Sequence, residues 1–215
     1  MKHLRQYIRQ VLLTEGMKTV DDLPDDVRIR IAGRSAGGLE VKYSNNMGGH
    51  HRRDSGKPVG SIRFDIASDF RPHLPCEGSF TIELSRAAKG WGPLLYDIAI
   101  EAATLLGNGL VPDRNIVSDE ALKVWNFYLA NRPDVVSHQL DSPENDLTYP
   151  DDDPLGRKPI DNDNCHQRSA ERDAYRSKAV NSWEESALSK RYTKPPTTIN
   201  ALKRMGKLDL VRVKL

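Results

Sequence analysis

Long apolar runs are missing from this 215-residue chain, so no segment approaches the roughly 20 apolar residues that a membrane-spanning helix requires. The N-terminus carries neither the hydrophobic stretch nor the cleavage site of a secretory leader, and a cytoplasmic setting is expected. Cysteine is scarce. Cys76 and Cys165 stand far apart without paired spacing, which indicates neither a disulfide framework nor a zinc site. Asp163-Asn164-Cys165-His166 holds ligand-type residues, but a lone Cys-His pair belongs more often to an ordinary loop, and no metal is expected. An excess of one charge is absent too. With 32 Lys and Arg against 30 Asp and Glu the net charge is +2, which argues against nucleic acid as the main partner. Hydrophobic residues make up 38% and charged residues 29%, a balance suited to one sizeable core under a polar surface.

What is present is most informative at residues 79–106. Phe80, Ile82 and Leu84 alternate with Ser79, Thr81 and Glu83, the period-2 pattern of a half-buried strand. Lys89-Gly90-Trp91-Gly92 forms a turn, and Pro93 fits the first turn of a helix, where its missing N–H has no intrahelical partner. Leu95, Ile98, Ala99, Ala102, Leu105 and Leu106 follow at helical spacing, with Asp97, Glu101 and Thr104 toward the other side. A strand entering a helix through glycines lets backbone approach an anion at the positive end of the helix dipole. The alternative is a tight turn without a ligand. A dinucleotide fingerprint fits poorly, since Leu95 stands where its third glycine belongs, and no Walker-type loop is found.

Other segments set this unit in order. Leu4, Tyr7, Ile8, Val11 and Leu12 predict an amphipathic first helix. Val27, Ile29 and Ile31, then Leu39, Val41 and Tyr43, predict a hairpin across Gly33-Arg34-Ser35-Ala36-Gly37-Gly38. Asn45 to Lys57 reads as a polar loop, Val59 to Ile66 as a third strand, and Gly109-Leu110-Val111 as a short buried strand. A helix is expected to open at the N-cap Ser118, present Ala121, Val124, Trp125, Tyr128 and Leu129 as a stripe, and end at Asn131-Arg132-Pro133.

The strand, Gly90-x-Gly92 turn and helix, preceded by a helix and a meander of strands, resemble the GNAT acyltransferase superfamily. That family's signature is Arg or Gln, two residues, Gly, any residue, then Gly or Ala; here Arg86 stands one place before the first position, which is Ala87. The resemblance implies an α/β fold with a mixed, largely antiparallel central sheet flanked by helices. It implies acetyl-CoA as substrate, with its pyrophosphate held at Ser85, Arg86, Lys89, Gly90, Trp91 and Gly92, chiefly through backbone N–H groups. Val59-Gly60 resembles the Val-Gly of the strand preceding the cofactor-binding one. The chain also looks like acetyltransferase-like proteins of tailed bacteriophages in GWGPLLYDIAIEAAT, VSDEALKVWNFYL and LSKRYTKPPTTINAL.

Such chemistry needs a base for the attacking amine and an acid for the departing thiol. Glu83 and Asp65 are carboxylates near the ends of neighbouring strands, and Glu83 is favoured because similar enzymes often place a Glu there. The family's acid tyrosine falls at Trp125, so Tyr128, three residues on and near the same face, is the nearest phenol; a packed core tyrosine is the other reading. The implied function is acetyl transfer from acetyl-CoA to a protein amine or a small amine. The competing class is a non-catalytic structural or interaction protein, such as one of a bacteriophage particle; Trp125, Pro93 and the long tail favour it.

A change of composition near residue 141 divides the chain into an acyltransferase-like domain, 1–140, and a C-terminal extension, 141–215, suited to wrapping the core or binding a protein partner. Within the extension, Asp141 to Asn164 reads as an acidic, Pro-rich arm. A helix is expected around Ala170 to Trp183, and an extended basic run covers Lys190 to Lys194 before Pro195-Pro196. A helix over Ile199 to Met205, capped by Thr198, and a strand over Leu208 to Leu215 close the chain. His50-His51-Arg52-Arg53 and Lys190 to Lys194 are basic enough to meet phosphate, but solvated loops collect such charge anyway.

Overall fold

The computed structural model describes residues 17–45, 58–66, 76–113, 117–140 and 185–215. The expected first helix, the His50–Arg53 cluster, the acidic arm, the Asp163–His166 group and the helix around 170–183 lie outside them. The described residues up to Phe64, with Glu83–Ala102 and Pro196–Leu215, make one compact unit, and the others make a second. The fold is mixed α/β: eight strands form one sheet in the order β6-β7-β5-β4-β3-β2-β1-β8, accompanied by three α-helices among the described residues.

In the first unit, β1 (Val27–Gly33) and β2 (Leu39–Asn45) form the expected antiparallel hairpin, running from Val27↔Asn45 to Gly33↔Leu39. Alternation places Val27, Ile29, Ile31, Leu39 and Val41 inside, each a burial of about 1.5–3 kcal/mol. β3 (Gly60–Ile66) runs antiparallel along β2 and contributes Ile62 and Phe64 to the core. The far edge is supplied by the end of the chain: β8 (Leu208–Val211) lies parallel to β1, from Ile29↔Leu208 to Ala32↔Val211. This strand is shorter than the alternation to Leu215 predicts, because Arg212 turns the backbone into the left-handed region at φ 56.

Helix α1 (Gly92–Leu106) is buried nearly all round, unlike the one-sided helix expected from its periodicity. Ile98, Ala99, Ile100, Ala102 and Ala103 are fully enclosed, while Leu105 and Leu106, expected in the apolar stripe, are exposed. Glu101, expected on the outer side, is 0% exposed. Its carboxylate accepts hydrogen bonds from Thr198 N–H at 2.8 Å, Ile199 N–H at 2.7 Å and Thr197 Oγ1 at 3.2 Å. Those donors open helix α3 (Thr197–Arg204), whose N-cap Pro196 offers no side-chain cap. The capping role expected of Thr198 therefore belongs to Glu101, an anion placed at the positive end of a helix.

In the second unit, β5 (Leu110–Val111) pairs parallel with the start of β4 (Phe80–Ala87), Phe80 opposite Leu110 and Thr81 opposite Val111. β7 (Lys190–Thr193) meets β5 at Tyr192↔Leu110, and β6 (Val136–Gln139) runs antiparallel along β7. Helix α2 (Asp119–Asn131) opens at Ser118, whose Oγ accepts from Ala121 N–H at 3.2 Å, as its sequence predicts. Trp125 stacks on Tyr192 with centroids 4.8 Å apart, and the Arg132 guanidinium lies over the Tyr128 ring. Cys76 is disulfide-bonded, where cysteine spacing alone indicated no disulfide; sequence separation carries no information about approach in space.

Candidate functional site

The site is built from the last half of β4, the turn after it and the first turn of α1, all within the first unit. β4 begins as expected, with Phe80 and Ile82 buried, but Leu84 is exposed, and so are Glu83, Arg86 and Ala87. Both faces of the strand thus open to solvent from Glu83 onward, and the period-2 pattern ceases to report burial there.

The turn is closed by Trp91 N–H donating to the Ala88 carbonyl at 3.0 Å, with Gly90 at φ 83 in the position that requires a positive φ. Ala88 N–H donates to the Val59 carbonyl at 2.7 Å. Two of the turn carbonyls are also tied back: Gly90 C=O accepts from Lys18 N–H at 3.0 Å, and Trp91 C=O from the Tyr43 hydroxyl at 2.7 Å. The Trp91 indole is buried edge-on against the Tyr43 ring, with centroids 5.6 Å apart. The N–H groups of Lys89, Gly90 and Gly92 find no acceptor among the described residues. The Ala88, Gly90 and Trp91 carbonyls, which would repel an anion, are therefore occupied, while donors remain at the start of a 15-residue helix. Arg86 and Lys89 are exposed on either side of the bend and add positive charge.

Gly92 differs in kind from Gly90. Its φ is not in the left-handed region, and a Cβ built there meets only the Ala87 Cβ, at 3.8 Å. Among the described residues nothing demands glycine at 92, and the clearance there suits a group that approaches the backbone closely. The residues fit a pyrophosphate in donor set, charge and clearance. Pro93 contributes no N–H.

Glu83 sits on the exposed part of β4, with its Oε2 2.6 Å from Arg34 Nη1. Ser85 lies two residues on and so on the same face of the strand. Its Oγ is 2.9 Å from the Tyr96 hydroxyl on α1. Tyr96 follows Gly92 by one helical turn, which brings its side chain over the helix start. Burial raises the Tyr96 phenol above its ordinary value, partly offset by the Ser85 hydrogen bond, and burial pushes the Tyr43 phenol far up. Both are neutral hydrogen-bonding groups at physiological pH. The structure thus brings Glu83, Ser85, Arg86, Lys89, Gly90, Trp91 and Gly92 into one stretch, with Trp91 serving through its packing, since its N–H is committed to Ala88.

Tyr128 belongs to the second unit, 1% exposed, between Trp125 and Arg132. Asp65 is half-buried and also falls in the second unit. Sequence reasoning missed Arg34, Tyr43 and Tyr96. Position 96, four residues after Gly92, was available as a helical i,i+4 signal; the reach of Arg34 to β4 and of Tyr43 to the turn had no local signal at all. Among the described residues no group of three or more His, Cys, Asp or Glu is placed to hold a metal, and no helix is long and apolar enough to cross a membrane. Comparison of the chain with protein-family models, with curated proteins and with solved structures finds no match.

Proposed function

We propose that this chain is an acyltransferase that moves an acetyl group from acetyl-CoA to an amine. The observation that carries this reading is the turn at Lys89–Gly92: three N–H groups without an acceptor among the described residues, the Gly90 and Trp91 carbonyls tied back, and room for a Cβ at Gly92. The pyrophosphate lies against these donors, with Arg86 and Lys89 screening its charge. Glu83 takes a proton from the acceptor ammonium, since only the free amine is nucleophilic. The amine attacks the thioester carbon and the C–S bond breaks. The thiolate regains a proton through the Ser85–Tyr96 hydroxyl pair, which shares the first unit with the turn; the phenol expected from sequence, Tyr128, lies in the core of the second.

A second reading, a non-catalytic interaction protein, is favoured by the ion pair that engages Glu83 and by the missing N–H at Pro93. Calorimetric titration with acetyl-CoA and with CoA at moderate salt tests the proposal. Saturable binding that is lost in Gly92→Leu supports it; absence of binding at millimolar ligand removes it in favour of the second reading.

A further inference from the structure

The contact that occupies Glu83 also constrains what the acceptor is. Arg34 reaches Glu83 from the end of β1, 49 residues away in sequence, and closes to 2.6 Å. The pair is open to solvent: the side chains are 31% and 49% exposed, and such exposed pairs add little to folding. A simple ammonium arriving at Glu83 meets the guanidinium already on the carboxylate, and the two positive charges repel. An acceptor that carries its own carboxylate beside the amine meets no such barrier. Its carboxylate draws the planar guanidinium into a two-point contact, and its ammonium takes the place that the guanidinium leaves on Glu83. Because Arg34 and Glu83 lie side by side, the carboxylate has to stand close to the amine to meet both, as in an α-amino acid.

Resting on the acyltransfer reading above, we propose that the acceptor is an amine with an adjacent carboxylate, of the free α-amino acid type, and that Arg34 is the residue that selects it. In the transfer, the ammonium gives one proton to Glu83, its nitrogen bonds to the acetyl carbon as the C–S bond breaks, and the second nitrogen-bound proton is lost as the amide forms. The thiolate takes up one proton and one is released to solvent, leaving an N-acetyl amino acid and free CoA.

The test uses the proteinogenic L-amino acids and their carboxamides, which keep the amine and remove the negative charge. Acetyl transfer is followed by thiol release for the full chain and for Arg34→Gln and Arg34→Lys. The expected result is a kcat/KM at least tenfold higher for one or more free acids than for the matching amide, a ratio near one in Arg34→Gln, and an intermediate ratio in Arg34→Lys. Amides equal to or better than acids in the unaltered protein overturn the proposal, as does an acid preference that survives in Arg34→Gln. Ligand-observed NMR binding of the same acids and amides, without acetyl-CoA, carries the test apart from turnover. Acids that bind at least tenfold more tightly than amides, through Arg34, support the acceptor class, and equal binding overturns it. Failure of acetyl-CoA to bind, measured separately, counts against the acyltransfer reading on which the proposal stands.

Discussion

At the residue scale, the two glycines of the turn separate a folding requirement from the proposed binding one. Gly90 holds φ 83, so Gly90→Ala is expected to cost about 1–2 kcal/mol, read as a lower urea midpoint. Gly92→Leu meets little of the protein at its Cβ, so it is expected to keep the urea midpoint and lose acetyl-CoA binding in a calorimetric titration. Loss of stability with binding intact would reverse these roles. The hydroxyl pair is tested in the same spirit. Tyr96→Phe and Ser85→Ala are expected to lower kcat on the order of a hundredfold, the lower end of general-acid contributions, with acetyl-CoA affinity kept. Tyr128→Phe, which removes a hydroxyl from the core of the second unit, is expected to keep kcat within about threefold; a hundredfold loss there would return the role to Tyr128. Gly90 and Gly92 were legible from turn chemistry, whereas Glu83, Ser85 and Tyr128 became candidates through the family resemblance. Arg34 was legible by neither route, since an ion pair between residues far apart in sequence leaves no local pattern.

At the scale of elements, Glu101 links two helices. A carboxylate enclosed in α1 holds the first N–H groups of α3, and hydrogen bonds to charged groups are worth about 1.5–3 kcal/mol each. Glu101→Gln keeps size but removes the charge and one acceptor, and is expected to destabilise by roughly 2 kcal/mol, seen as faster amide exchange concentrated at Thr198 and Ile199. Exchange unchanged at those amides would show that α3 is held by its packing alone. The helix was predictable from its own periodicity and the strand after it from its alternation. The cap was not, because Thr198 satisfies the local rule for an N-cap while the donor it was expected to satisfy is met by a residue from another helix.

At the scale of the molecule, residues beyond 195 are structural. Ile199 and Leu202 are fully buried, β8 pairs with β1, and removal of 196–215 strips Glu101 of its donors. Truncation after Pro195 is expected to abolish the cooperative thermal transition; a truncated chain that melts cooperatively would make this segment an accessory. Acid stability follows from two carboxylates. Asp134 is held below its ordinary value by hydrogen bonds from Arg132, against the opposing effect of burial, with Arg132 and Lys194 charges adding. Burial of Glu40 acts upward, but hydrogen bonds and charge from Arg63 and Lys42 outweigh it. Both groups titrate lower in the folded state, so the unfolded chain binds more protons as acid is added. Their contribution is present above the ordinary carboxylate range near about pH 4 and lost as pH falls through the folded values. The urea midpoint is expected to fall below about pH 4, less steeply in Asp134→Asn; equal slopes would exclude Asp134 as a source. The sequence by itself determined the strand–turn–helix at residues 80–106, the hairpin and the capped helix at Ser118, because periodicity and turn chemistry act over a few residues; the mixed α/β class was legible through the family resemblance. Only tertiary structure decided that the terminal strand pairs with β1, that Glu101 caps another helix and that Arg34 engages Glu83, because these contacts join residues whose separation along the chain sets no preference for meeting.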